Sequence, residues 1–280
     1  MTAATTTRER TAAAPPPARA ALLALVRHGL RDTRRAPLVW GAALGIMSAF
    51  EVALYPSISA SLGKAFEGYP SGVKDAFGIT DLGTIEAYLH AEMFSLVLPF
   101  ALAYFAIRSI GNAIAGAEEG GILDTLLATP VARRTLVAGA FATTAIALAA
   151  ILLVTGALTA VAGVVAGDAV RGGRLVAGLA GVWALALFFA GCATLASGLL
   201  HRAGLVLGSV GGVLATMYLL DVVGKLSDPV AALRWGSAFR YYGTPLQTGL
   251  DVPGFAALVV AGVLLAAAGA ACFERRDLTG

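Results

Sequence analysis

The chain is short of charge: Asp, Glu, Lys and Arg together make up 13% of its 280 residues, about half the share that a soluble domain carries. Hydrophobic residues make up 58%, and a single soluble core cannot absorb that excess, so the chain reads as an integral membrane protein. Lysine is scarcest, present only as Lys64, Lys74 and Lys225. None of the three closes a Gly-x-x-x-x-Gly-Lys phosphate loop, so the chain does not read as an ATPase. His28, His90 and His201 fall in three separate segments, and none stands at metal-ligand spacing from another His or a Cys. Cys192 and Cys272 lie inside apolar runs and read as small apolar residues. The basic residues are scattered rather than clustered, so the net charge of +3 points to membrane lipid and not to nucleic acid.

Six stretches hold no Asp, Glu, Lys or Arg: 36–50, 93–107, 135–167, 175–201, 203–220 and 252–273. A spanning helix needs about 20 mostly apolar residues. The last four runs reach that length or come near it; the first two reach it if Glu51 and Arg108 sit toward the interfaces. The expectation is therefore an all-α transmembrane bundle of six spans, about 37–57, 92–113, 135–162, 175–200, 203–221 and 252–273. Pro99 should kink the second span. The third run is longer than a bilayer requires, which predicts either tilt or an extension past one face. Lys and Arg favour the side that holds the N-terminus, which places both termini in the cytoplasm by the positive-inside rule.

Residues 1–17, with Pro15, Pro16 and Pro17, read as a disordered tail and carry no cleavable signal. Residues 18–35 place Leu22, Leu25, Val26 and Leu30 on one face among arginines. Such a helix lies in the headgroup layer as an interface helix, or else extends the first span. The outer loop 57–91 predicts a short helix near Gly83 to Glu92. A second outer segment, 222–251, concentrates Trp235, Phe239, Tyr241 and Tyr242, and reads as short helices that dip back toward the bilayer. Gly204, Gly208 and Gly212 recur every four residues, the spacing that lets helix backbones approach.

The polar segment from Gly116 to Arg134 separates the second and third spans. Glu118, Glu119 and Asp124 stand at the start of a short amphipathic helix, where the positive helix end favours acids. Ile122, Leu123, Leu126 and Leu127 share one face, and Pro130 ends the helix. A stiff element of this kind transmits force, and it equally suits an ordinary connector.

Glu119, Gly121, Ile122, Leu123, Asp124, Leu126, Leu127, Pro130 and Arg133 resemble the cytoplasmic loop between helices two and three in permease subunits of bacterial type-2 ATP-binding-cassette (ABC) exporters. The ending Phe273, Glu274, Arg275, Arg276, Asp277, Leu278 is similar to that family's C-terminus. A weaker likeness is Ser237 to Tyr242, where Ala238 stands in place of the family's frequent Pro. The resemblance implies a six-helix permease in the bacterial plasma membrane that pairs as a homodimer or heterodimer. It implies a coupling helix over about 121–129, seated in a groove of a separate ATPase. No cofactor is then expected on this chain; ATP and Mg belong to the partner ATPase, present in two copies. The second and fifth spans would line the path. Few intramembrane charges suit an amphipathic or hydrophobic cargo such as a drug, an antibiotic or a lipid-like molecule, exported by alternating access. The competing reading is a secondary transporter driven by an ion gradient, which would want ionisable groups at mid-membrane or repeated halves; neither is visible. Arg108 either snorkels or anchors the second span beside the coupling helix.

Overall fold

The computed structural model describes residues 18–67, 84–120, 132–226 and 228–275, and over these it is a bundle of helices. In chain order they are α1 (Ala18–Thr33), α2 (Arg35–Glu67), α3 (Ile85–Glu119), α4 (Arg133–Ala166), α5 (Gly172–Leu199) and α6 (Ala203–Leu226). A 3-10 segment (Asp228–Gly236), two short helices α7 (Ala238–Tyr242) and α8 (Pro245–Thr248), and α9 (Val252–Arg275) complete it. Helices α2, α3, α4, α5, α6 and α9 are each long and apolar enough to cross a membrane. The six expected spans are all present, with wider bounds.

The largest departure is α3. The expected short helix near Gly83 to Glu92 is not separate from the second span: Thr84 caps Ile85, accepting from the Ala87 amide, and the helix runs on to Glu119. Two π turns, His90–Val97 and Asn112–Gly116, interrupt its α geometry. The first ends just before Pro99, at the start of the following α segment. Pro99 has no amide to donate, and a π turn widens the helix where that bond is missing.

Helix α5 is the centre of the bundle. Its most apolar window is 67% buried, against 17% for α6 and 22% for α9. Helices α5 and α9 meet backbone to backbone. A Cβ on Gly191 would lie 2.2 Å from the Gly262 carbonyl oxygen, and one on Gly269 would lie 2.5 Å from that of Thr194. Helix α2 lies along α4 through the same device: Gly41 faces Ile151 and Val154, and Gly45 faces Thr155 and Leu158. The buried Thr159 hydroxyl reaches Ser48 at 2.8 Å, and that of Thr155 bonds the carbonyls of Ile151 and Gly41. In an apolar environment such hydroxyls must find partners within the protein, and small residues bring them into range.

The glycines singled out from spacing, Gly204, Gly208 and Gly212, do no such packing among the described residues. A Cβ on any of them would meet nothing within 4 Å, because α6 turns that face out of the bundle. Helix α1 continues the line of packing along α4, with Leu25 against Gly139 and Gly29 against Thr143. Its apolar face is the one expected, half-buried at Leu22, Leu25, Val26 and Leu30, and part of what buries it is α4. That contact also accounts for the extra length of α4, whose first turns lie beside α1.

Candidate functional site

The helix ends form two polar clusters, one at the end where α1 lies and one at the opposite, far end. At the α1 end, the acids that close α3 turn toward the connection between α5 and α6. The Glu119 carboxylate accepts from the Ala203 amide at 3.3 Å, at the first turn of α6, and Glu118 stands 3.9 Å from His201. An acid at a helix N-terminus takes up an amide that has no partner inside the helix and faces the positive end of the dipole. These two acids therefore tie α3 to α6, and do not simply start a new helix. Arg133 is half-buried at the head of α4. Its neighbour Arg134 reaches Glu274 near the end of α9 at 3.7 Å, and Phe273 beside it is 1% exposed. The segment 116–134 and the C-terminal motif thus converge, which their separation in sequence hides. Gly121, Ile122, Leu123, Asp124, Leu126, Leu127 and Pro130 lie outside the described residues, as do Arg276, Asp277 and Leu278. One flank of the expected coupling helix thus meets the start of α6 and the other the end of α9.

At the far end, the 3-10 segment and α7 fold back into the bundle. Ser237 caps α7, accepting from the Phe239 amide, and its hydroxyl donates to the Met217 carbonyl at 2.6 Å. Phe239 enters a nest of rings from Phe100, Phe189 and Tyr218. Tyr218 lies eight residues before the end of α6, so Phe239 penetrates about 12 Å below that helix end. The Tyr242 hydroxyl donates to the Phe94 carbonyl at 2.8 Å, while Gly181 leaves room for Pro245. Trp235 remains 62% exposed with the Arg240 guanidinium stacked over it at 3.8 Å. The aromatic segment is therefore a plug with Phe239 and Tyr242 inward and Trp235 outward. Ala238, in the place where Pro was expected, is buried inside it.

Sequence reasoning missed what pins that plug. Asp221, 3% exposed, takes Lys225 at 2.7 Å and Arg234 at 3.0 Å. Gly224 makes room for the Arg234 stem, since a Cβ there would lie 2.4 Å from its Cγ. The Asp221–Lys225 spacing of four is a legible helical ion pair. Arg234 joins it only through the fold. Around the same end, Glu86 holds the Arg171 side chain at 3.6 Å and its amide at 3.3 Å, and the Tyr88 hydroxyl donates to Glu51. Glu51 and Arg108 do not meet; Arg108 instead donates to the Tyr104 hydroxyl at 3.3 Å.

The described residues thus combine six helices long and apolar enough to cross a membrane, an aromatic segment folded into the bundle and a helix that precedes the first of the six. The family described as "Multidrug efflux system permease Rv1217c, C-terminal domain" matches residues 24–274. The chain belongs to this family. It is an ABC-type efflux permease, multi-pass and all-helical. The match runs from within α1 almost to the end of α9 and so takes in both polar clusters. No curated protein matches the chain.

Proposed function

We propose that the chain is the membrane-spanning subunit of an exporter driven by a separate ATPase. It works as a dimer of permeases with two ATPase copies, and moves amphipathic or hydrophobic cargo out of the cell by alternating access. The observation that carries this reading is the set of contacts flanking residues 121–131. Glu118 and Glu119 bind the start of α6, and Arg134 binds the end of α9. A push on the segment between them would reach α3, α4, α6 and α9 together, as the shift between inward-facing and outward-facing states demands. Arg19, Arg27, Arg31, Arg34, Arg35, Arg133, Arg134, Arg202 and Arg275 gather at this end, which supports a cytoplasmic position for it and for both termini. The ATPase supplies the phosphate chemistry with its own ATP and Mg.

Two further features support the reading. The open face of Gly204, Gly208 and Gly212 on α6 suits close approach of a second permease. The plug at the far end closes over α3 and α6, the two helices expected to line the path.

The decisive experiment co-expresses the chain with a neighbouring ATPase and follows capture and ATP hydrolysis. Leu126→Asp with Leu127→Asp should abolish capture, because both remove apolar anchors from the docking face. Glu119→Ala should retain capture yet lower permease-stimulated hydrolysis severalfold, since it frees α3 from α6 without touching that face. Full capture and stimulation by the double Asp variant would remove the coupling role from this segment. Cargo movement by the chain alone under an ion gradient would remove the exporter reading itself.

A further inference from the structure

A groove of about 370 Å³ opens on the bundle surface between the α1–α2 junction and α3. Its walls include Thr33, Trp40, Tyr104, Arg108, Ser109 and Asn112. Trp40 packs at 6.2 Å from Tyr104 and edge-on to Phe105 at 5.8 Å, which fixes the apolar wall. Arg108 is exposed toward the groove, held by its bond to Tyr104. Among the described residues it has no carboxylate partner, and no acid lines the groove.

Depth makes this arrangement chemically demanding. On α3, Arg108 is separated from the previous charge, Glu92, by a charge-free run spanning sixteen residue steps, about 24 Å of helix. With Glu92 at one edge of a hydrocarbon core about 30 Å thick, the Arg108 backbone would fall just inside the other edge and its guanidinium would reach headgroup depth. A cation there faces lipid and lowers its free energy by meeting an anion. Trp40 and Tyr104 mark the same level, as aromatic belts do. Next to the lining residue Thr33, the α1–α2 junction carries Arg31, Arg34 and Arg35 against the single acid Asp32.

We propose that this groove binds the phosphate of an anionic phospholipid, with Arg108 as the primary ligand, Ser109 and Asn112 as polar neighbours, and Trp40 and Tyr104 against the glycerol and upper acyl chain. The guanidinium offers paired donors to phosphate oxygens. With no acid in the walls, a zwitterionic headgroup gains nothing from its amine. The site depends on the depth of α3 and not on the exporter reading, so either can fail alone.

The test is native mass spectrometry of the full chain in detergent, titrated with phosphatidylglycerol and with phosphatidylcholine. The wild type should bind one phosphatidylglycerol at least fivefold more tightly than phosphatidylcholine, about the factor that one basic contact with an anionic surface provides. Arg108→Leu should erase that preference, Arg108→Lys should keep part of it, and Arg134→Leu at the α4 head should leave it intact. If Arg108→Leu does not fold, Asn112→Ala with Trp40→Ala carries the test and should weaken the same adduct. Equal affinity for the two lipids, or a preference that survives Arg108→Leu, overturns the site. So does displacement by millimolar inorganic phosphate, which would mark a free-anion site. A dimer that dissociates on Arg108→Leu while lipid binding is unchanged also overturns it, since the face would then belong to a second copy.

Discussion

Gly262→Val should fail to accumulate as a folded chain, and Gly191→Leu should do the same. At Gly262 a new Cβ would stand 2.9 Å from the Leu187 carbonyl oxygen and 3.1 Å from the Phe188 Cα, and at Gly191 it would enter the Gly262 peptide. These neighbours are backbone atoms of a helix, which no rotamer change can move aside. The helices must separate, and Gly198 and Gly269, seven residues further along, lose their own contacts with them. Overpacking a well-filled core usually costs about 1–3 kcal/mol, and here the cost should reach or pass about 3 kcal/mol because α5 is the central helix. Close Cα–H···O contacts along the seam would go as well. The measurement is the yield of monodisperse protein after mild detergent extraction. Gly208→Leu is the matched control: its Cβ meets nothing within 4 Å, so the chain should fold normally, with any change appearing in its oligomeric state. Normal yield from Gly262→Val would mean that the seam is not the structural centre of the bundle.

The contrast between those glycines shows what spacing can and cannot reveal. With 34 glycines in the chain, intervals of four arise on many faces, and only the third dimension tells which face finds a backbone opposite. Gly204, Gly208 and Gly212 look outward; Gly191 with Gly198 and Gly262 with Gly269 recur at seven and find a backbone opposite. The six spans were legible because the absence of charge over a bilayer's thickness is a one-dimensional property. Their ends were less so. Glu86 and Glu92 lie on one continuous helix, yet each looks in sequence like a boundary, which puts the expected start of the span seven residues late. Glu86 pairs with Arg171 across the bundle, and Arg108, expected inside the second span, donates to Tyr104 one turn away.

At the α1 end, acidic, apolar and Pro-terminated patterning singled out 116–134, and the flanks of that segment do gather the ends of four helices. What patterning missed was the partnership of its acids. Glu118 and Glu119, which precede the expected coupling helix over about 121–129, lie against His201 and the Ala203 amide. A carboxylate near any helix start gains from the same dipole, and sequence cannot say whose helix start it will be.

At the far end, Asp221→Ala should release the plug while leaving the six spans inserted. Lys225 and Arg234 would be left beside each other without the carboxylate that pairs them, holding only 22% and 27% of their side-chain surface in solvent. Removing one partner of a buried ion cluster typically costs 3–5 kcal/mol, and the remaining exposure puts this case near about 3 kcal/mol. The loss falls on the 3-10 segment, which Arg234 fastens to α6. From there it passes to α7, whose Ser237 bonds the Met217 carbonyl on the same helix. Limited proteolysis around 228–251 should accelerate about tenfold or more, and the fluorescence of exposed Trp235 should lose its dependence on the stacked Arg240. On the proposed path over α3 and α6, efflux should fall, since Phe239 would no longer be held in its ring of aromatics. Replacing all three charges, as Asp221→Leu with Lys225→Leu and Arg234→Met, separates two explanations. If the cluster only stabilises the fold, the apolar version should restore protease resistance and efflux together, because burying ions gains little over burying hydrocarbon. Resistance without efflux would show that the far end has to open during transport, and that the ion cluster is the part that lets it.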